Sequence, residues 1–152
     1  MIERILPRTA DNSFRGHSFA VWLMILIIAI KSIQGLTSMF ISLAVAQGAH
    51  NYAVNTYPTD ARQLLVVMFQ RLGLSVLVLM LFCVLVLIRY RALIPVTYVL
   101  LLVQQTGSAI LQLKESAIAG TSSATVVGFV LLLLTLAGLV ASLRRAGITR
   151  VI

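Results

Sequence analysis

The sequence predicts an all-α integral membrane protein, a four-helix bundle with both termini in the cytoplasm. Two observations on composition indicate this class: 60% of the 152 residues are hydrophobic and only 11% are charged. A surface that faces water needs far more charge than this. A third observation is that the apolar residues collect in four runs, each close to the roughly 20 residues that a membrane-spanning helix needs.

The four runs cover about residues 19–46, 64–88, 92–113 and 124–143. None of them alternates apolar and polar residues, so strands are excluded. A chain exposed to lipid must also satisfy its backbone groups internally, as a helix does. Pro95 is compatible with the third helix because it falls in the first turn. The longest polar segment, 47–62, is too short for a domain of its own, so residues 1–152 are predicted to form one membrane domain.

Lysine and arginine predict the orientation, because positive residues accumulate on the cytoplasmic side of short loops. With the N-terminus inside, the outer loops hold only Arg62 and Lys114. The inner segments hold eight arginines: Arg4, Arg8, Arg15, Arg89, Arg91, Arg144, Arg145 and Arg150. Aromatic belts are expected at both interfaces, with Phe19, Trp22, Tyr90 and Tyr98 inside and Tyr52 and Tyr57 outside.

Lys31 is a single charge in the first apolar run. It lies twelve residues beyond Phe19, which places it roughly 18 Å into a hydrocarbon layer of about 30 Å. A lysine at that depth costs on the order of 2.5–3.5 kcal/mol on insertion scales and therefore needs water or polar partners. Helical side chains lean toward their own N-terminus, so Lys31 is poorly placed to reach the outer surface.

Polar residues on the other predicted helices are candidate partners of Lys31. They recur at spacings of three and four residues, which puts them on one face of a helix. We expect a binding cluster in the outer half of the bundle, formed by Lys31, Gln34, Arg71, Gln104, Gln105 and Glu115. Glu115 is the one acid on these faces, and it lies several turns above Lys31, so it suits Arg71 better.

Three interpretations of this cluster remain open. In the first, Lys31 donates to Gln104 or to backbone carbonyls, and the polar residues cross-link the helices. In the second, the surplus of donors binds a carboxylate, a phosphate or a lipid headgroup from the outer leaflet. In the third, Lys31 meets an acid of another subunit. Gly120, Ala124 and Gly128 predict a close-packing face on the fourth helix, within the bundle or between copies.

Catalytic, cofactor and metal sites are not expected. The two histidines, His17 and His50, are predicted on opposite sides of the membrane, so they cannot share a metal or a haem. The single cysteine, Cys83, lies in a run of Leu and Val without a partner cysteine. The net charge of +8 would suggest nucleic acid for a soluble protein. Here the arginines lie between apolar runs and set orientation, so no nucleic-acid partner is expected.

The stretches IERILPRTADN (2–12) and IRYRALIPVTYVLLLVQQ (88–105) resemble small four-helix inner-membrane proteins of Gram-negative bacteria. The resemblance implies a multi-pass protein of the bacterial inner membrane and brings no activity with it. From the residues we expect first a non-catalytic accessory or scaffolding protein. The alternative is a binder or carrier of an anionic amphiphile or lipid in the outer half, and a membrane enzyme is third. Expected partners are the lipid bilayer, an anionic lipid, further copies of this chain or a larger membrane protein.

The charge asymmetry yields a topological prediction. Reporter domains fused after Arg91 and after Arg150 should be active as cytoplasmic reporters, and a reporter near Asn55 should be active as an external one. Activity of paired cytoplasmic and periplasmic reporters at the same fusion site measures this. An external C-terminus would contradict the predicted orientation.

Overall fold

The computed structural model describes residues 16–144, apart from the side chains at positions 115, 118 and 119. Its helices are α1 (Ser18–Phe40), α2 (Ser42–Gly48), α3 (Thr59–Arg89), α4 (Ile94–Ala119) and α5 (Ser123–Leu143). Two 3-10 turns, Val54–Thr56 and Arg91–Leu93, lie in the connections. Four of the helices are long and apolar enough to cross a membrane. The prediction of an all-helical chain with four such helices is therefore confirmed.

The first predicted helix is divided at Ile41, which leaves helical geometry with φ −127° and ψ 43°. Side-chain hydroxyls bond back to the helix on both sides of this residue. Thr37 donates to the Ile33 and Gln34 carbonyls at 2.9 and 3.0 Å, and Ser42 donates to the Ser38 carbonyl at 2.7 Å. Hydroxyls that bond a carbonyl one turn earlier commonly bend helices, so the serine and threonine content of this stretch explains the break.

Two other boundaries differ from the predicted ones. Helix α3 begins at Thr59, earlier than residue 64, and carries Asp60 in its first turn, where a negative charge stabilises the helix dipole. Helix α4 continues past residue 113 and ends at Gly120, which has a φ of 81°. Both extensions contain charged residues, Asp60 and Arg62 in α3 and Lys114 and Glu115 in α4. Hydropathy alone therefore placed these two helix boundaries too far inside the helices.

Helix α1 lies at the centre of the bundle. It packs along α3 on one side and along α5 on the other, and α5 in turn packs along α4. We call the end with the Arg91–Leu93 turn the hairpin end and the end with residues 49–58 the loop end. Helices α3 and α4 follow each other in the chain but contact each other little. The core residues that they share lie in the half toward the hairpin end: Met80, Cys83 and Val86 on α3, and Ile94, Tyr98 and Leu101 on α4.

Glycines bring α1 close to α3. A Cβ atom at Gly73 would lie 2.5 Å from the carbonyl oxygen of Gly35 and 2.9 Å from the backbone nitrogen of Met39. No real side chain fits in that space without a backbone shift. The small residues therefore fix how closely these two helices approach.

Tyr98 connects three helices near the hairpin end. Its hydroxyl, on α4, donates to the Ala20 carbonyl of α1 at 2.7 Å, and its ring occupies the space that a Cβ would need at Gly138 of α5. The side chain is fully buried. Its predicted place in an interfacial aromatic belt is therefore wrong, because the hydroxyl finds its acceptor inside the bundle. Trp22, by contrast, is 70% exposed.

The outer surface of the bundle is apolar. Large side chains such as Phe40 and Leu81 are 74% and 70% exposed, and similar side chains cover all four long helices. A surface of this kind fits lipid tails and not water. At the loop end, the Ala124 backbone N–H donates to the Ala49 carbonyl at 3.1 Å, which ties α2 to the start of α5.

The glycine contact between α1 and α3 gives a stability prediction. Gly73→Ala should lower the free energy of unfolding by about 1–3 kcal/mol, because the added methyl group meets backbone atoms that cannot move aside. Gly107→Ala is the matched control, since a Cβ there meets nothing within 4 Å. Thermal unfolding of both variants in one mild detergent measures the difference. Equal melting temperatures for the two variants would contradict the close contact.

Candidate functional site

Two buried stripes on α1 and α4 change from apolar to polar along the bundle. The stripe on α1 consists of Ala20, Met24, Ile27, Lys31 and Gly35. The stripe on α4 consists of Ile94, Tyr98, Leu101, Gln105 and Ala109. Both have the three- and four-residue spacing of a helix face packed in a bundle. Both are apolar toward the hairpin end and contain their polar residues toward the loop end.

The polar residues of the two stripes lie at the same level. Helices α1 and α4 run in the same direction, and the Tyr98–Ala20 hydrogen bond fixes their relative height. Lys31 follows Ala20 by eleven residues, and the same step from Tyr98 leads to Ala109. Lys31 therefore lies about 16 Å from that hydrogen bond, level with the segment of α4 that runs from Gln105 to Gln112.

Lys31 is buried without a partner among the described residues. Its side chain is 7% exposed, and no described group accepts a hydrogen bond from it or forms an ion pair with it. The donation to Gln104 or to a backbone carbonyl expected from the first interpretation is absent from residues 16–144. A buried ammonium group in this situation is destabilising unless water, a ligand or another chain supplies the acceptor.

Helix α4 carries three buried amide atoms that also lack hydrogen-bond partners. They are Oε1 of Gln104, Nε2 of Gln105 and Oε1 of Gln112. Each such atom costs about 1–3 kcal/mol when nothing satisfies it. Because an amide can turn over and exchange its oxygen and nitrogen, each glutamine can offer a donor or an acceptor. These glutamines lie on α4 at about the level of Lys31, and their open polar atoms need a polar occupant. We call Lys31, Gln104, Gln105 and Gln112 the Lys31 cluster.

The structure brings together only part of the predicted site. Gln105 is 2% exposed and lies on the buried stripe of α4. Gln104, next to it on α4, and Gln34, on α1, are half-buried. Arg71 is exposed on the side of α3 opposite the buried Phe69 and Gly73, so it does not join the cluster. The side chain of Glu115 lies outside the described part of the chain. Gln112 is not one of the six predicted binding residues, and its spacing of seven residues from Gln105 places it on the same face of α4.

Arg71 lies nearer the loop end than Lys31 does. The contact of Gly73 with Met39 puts the Arg71 turn of α3 close to the level of Met39. Met39 follows Lys31 by eight residues, or about 12 Å along α1. The two cations therefore differ in depth as well as in direction, and a single small ligand does not span them.

The predicted packing face on the fourth helix is shorter than the spacing suggested. Gly128 is closely packed, because a Cβ there would overlap the Gln112 amide of α4. Gly120 is not in α5: it ends α4 with a φ of 81°, a conformation that favours glycine. Helix α5 begins only at Ser123, where the Ser122 hydroxyl accepts from the Thr125 backbone N–H at 3.3 Å. The backbone N–H of Ala124 contacts the end of α2.

The polar groups of the Lys31 cluster among residues 16–144 are suited to hydrogen bonding and to binding an anion. The cluster combines an ammonium group with carboxamides, and the described part of the chain has no group of three His, Cys, Asp or Glu that could hold a metal ion. Hydroxyl groups elsewhere at this end are satisfied by each other, as for Ser116 and Thr125 at 3.1 Å. Among the described residues, the buried side-chain atoms without a hydrogen-bond partner all lie on α4.

Comparison with models of protein families, with curated proteins and with solved structures finds no match for this chain. The resemblance to small inner-membrane proteins stays a prediction. Of the two stretches that suggested it, residues 2–12 lie outside the described part. Residues 88–105 include the end of α3, the Arg91–Leu93 turn and the first half of α4.

The contact between Gly128 and Gln112 gives a prediction with a built-in control. Gly128→Leu should lower the free energy of unfolding by about 1–3 kcal/mol, because leucine takes the space of the Gln112 amide. The double variant with Gln112→Ala should recover most of this loss, since the clash is removed. Thermal unfolding of the two single variants and the double variant in detergent tests this. A double variant with the sum of the two single losses would contradict the direct contact.

Proposed function

We propose that this chain is a multi-pass protein of the bacterial inner membrane that binds the anionic headgroup of an amphiphile in the Lys31 cluster and performs no catalysis. The observation that carries this proposal is the buried side chain of Lys31, whose ammonium group has no partner among the described side chains. In the proposed orientation both termini are cytoplasmic and the loop end faces outward. The ligand then enters from the outer leaflet.

The composition of the cluster favours a headgroup that has both acceptors and hydroxyl donors. A phosphate or carboxylate accepts hydrogen bonds from Lys31 and from the Gln105 amide at the same time, and bonds between charged groups are the strongest of this kind. The unpaired Oε1 atoms of Gln104 and Gln112 need donors, which a hydroxyl beside the phosphate or carboxylate supplies. Such a headgroup would satisfy each polar atom that the described residues leave open.

The packing of the helices supports one route of entry. Gly35 and Gly73 bring α1 and α3 into backbone contact, and Gln112 fills the space against Gly128 between α4 and α5. Helix α5 packs along α1. Helices α3 and α4 share their core only toward the hairpin end. Their halves toward the loop end can therefore move apart from each other. We therefore propose that the headgroup passes between α3 and α4 and that its tails remain in the bilayer.

An accessory or scaffolding role is the second candidate. The exposed Arg71 on the outward side of α3 supports it, because a cation on a lipid-facing helix is stabilised by an acid of a neighbouring membrane protein. A membrane enzyme receives no support, since no nucleophile and no general base accompany Lys31 among the described residues of the cluster.

Substitution of Lys31 separates the two candidates. Lys31→Met keeps the apolar stem and removes the charge, so we expect at least about a tenfold loss in occupancy of a co-purified anionic amphiphile. Lys31→Arg should preserve part of it, because the charge remains with different geometry. Lys114→Met is the control, since Lys114 is an exposed cation on the same side of the bundle. Native mass spectrometry after mild extraction measures the bound mass, and thermal unfolding reports folding.

The outcomes divide clearly. Loss of the ligand in a folded Lys31→Met protein, with retention in Lys114→Met, supports the binding function. A Lys31→Met protein with wild-type stability and an unchanged bound amphiphile overturns it. If Arg71→Met instead releases a co-purified membrane protein and Lys31→Met has no effect, the accessory role replaces the binding role.

A further inference from the structure

A cavity of about 540 Å³ lies at the hairpin end, far from the Lys31 cluster. It is bounded by the second half of α5 and by the start of α1, and we call it the α5 groove. Its main lining residues are Leu133, Leu136, Ala137 and Val140 from α5, Arg144 directly after α5, and His17 and Phe19 at the beginning of α1. Its volume is in the range of small-molecule sites.

The wall of the α5 groove is apolar and exposed. Leu133, Leu136 and Val140 follow one face of the helix and are 65%, 48% and 43% exposed. From Leu133 to Arg144 the helix advances eleven residues, which is about 16 Å. One leaflet of a bilayer has a hydrocarbon depth of about 15 Å. The wall thus has the length of an acyl chain that crosses one leaflet.

Hydrogen-bond donors occupy the polar rim of the groove. Nδ1 of His17 accepts a hydrogen bond from the Phe19 backbone N–H at 3.2 Å, so the proton of a neutral ring lies on Nε2. The backbone N–H of His17 donates to the Ala141 carbonyl at 3.3 Å and holds this rim against α5. Arg144 adds an exposed guanidinium group where α5 ends, and none of the described residues that line the groove is an acid.

We propose that the α5 groove binds an anionic phospholipid, with one acyl chain along α5 and the phosphate on Arg144 and on Nε2 of His17. The charge of the rim is positive and matches a phosphate, which guanidinium groups bind through two parallel hydrogen bonds. Basic sites between helices on the cytoplasmic side are known binding sites for anionic lipid headgroups. This site is at the opposite end of the bundle from the Lys31 cluster and does not depend on it.

Lipid titration with matched variants tests the α5 groove. Native mass spectrometry should compare phosphatidylglycerol with phosphatidylcholine of the same acyl chains. We expect the wild type to prefer phosphatidylglycerol by about tenfold and Arg144→Gln to lose that preference, because the charge-assisted bond is gone. Arg89→Gln is the control for charge at the same end. Ala137→Trp, which fills the groove, should lower the occupancy of both lipids several-fold, whereas Val130→Trp, exposed on α5 outside the groove, should not.

Three results would overturn the proposal. They are unchanged binding in Ala137→Trp, an equal loss of preference in Arg144→Gln and Arg89→Gln, and a loss of the same lipid in Lys31→Met. The last result would assign that lipid to the Lys31 cluster. Thermal unfolding of every variant confirms that the protein is folded, and Arg144→Lys, which keeps the charge, should retain part of the preference.

Discussion

Close approach of helices at glycine residues is the constraint on which this bundle depends. Lipid tails are as apolar as leucine, so burying leucines against each other gives little driving force between helices in a bilayer, and van der Waals contact must supply it. Gly73 lets α3 approach the backbone of α1, and Gly138 admits the ring of Tyr98. Helix α1 packs along α3 on one side and along α5 on the other.

The central position of α1 accounts for the unusual environment of Lys31. On a peripheral helix this residue could face lipid and extend toward an interface, as an exposed cation does. On α1 it continues the stripe of Met24 and Ile27 and is therefore buried. The Thr37 hydroxyl of α1 bonds to a carbonyl of its own helix, and the Ser42 hydroxyl bonds to the Ser38 carbonyl one turn earlier. The ammonium group of Lys31, on a long side chain, has no such local acceptor. Only groups from elsewhere can satisfy it.

The two proposed sites would hold related molecules by different physical means. In the Lys31 cluster, buried polar atoms demand a polar headgroup, and the tails stay outside the bundle. In the α5 groove, an exposed apolar wall receives the tail, and the charge of Arg144 and the Nε2 donor of His17 select the headgroup at the rim. Buried polar atoms without partners destabilise the protein when the first site is empty. The second site is exposed to solvent or lipid, so an empty site there lowers stability little.

Helix content, the number of long helices and most of their interiors could be predicted, because a lipid-compatible helix closes its backbone hydrogen bonds within one continuous run. Lys31 and Gln105 could be named for the same reason, as polar residues inside such runs. Which way each helix turns about its axis depends on contacts between residues far apart in the chain. Those contacts placed Gln105 on the buried stripe, turned Arg71 outward and buried Tyr98 against Ala20. The backbone conformation of Gly120 places it in a turn and not on a helix face. The spacing of small residues in the sequence does not determine the backbone conformation or the neighbouring helix.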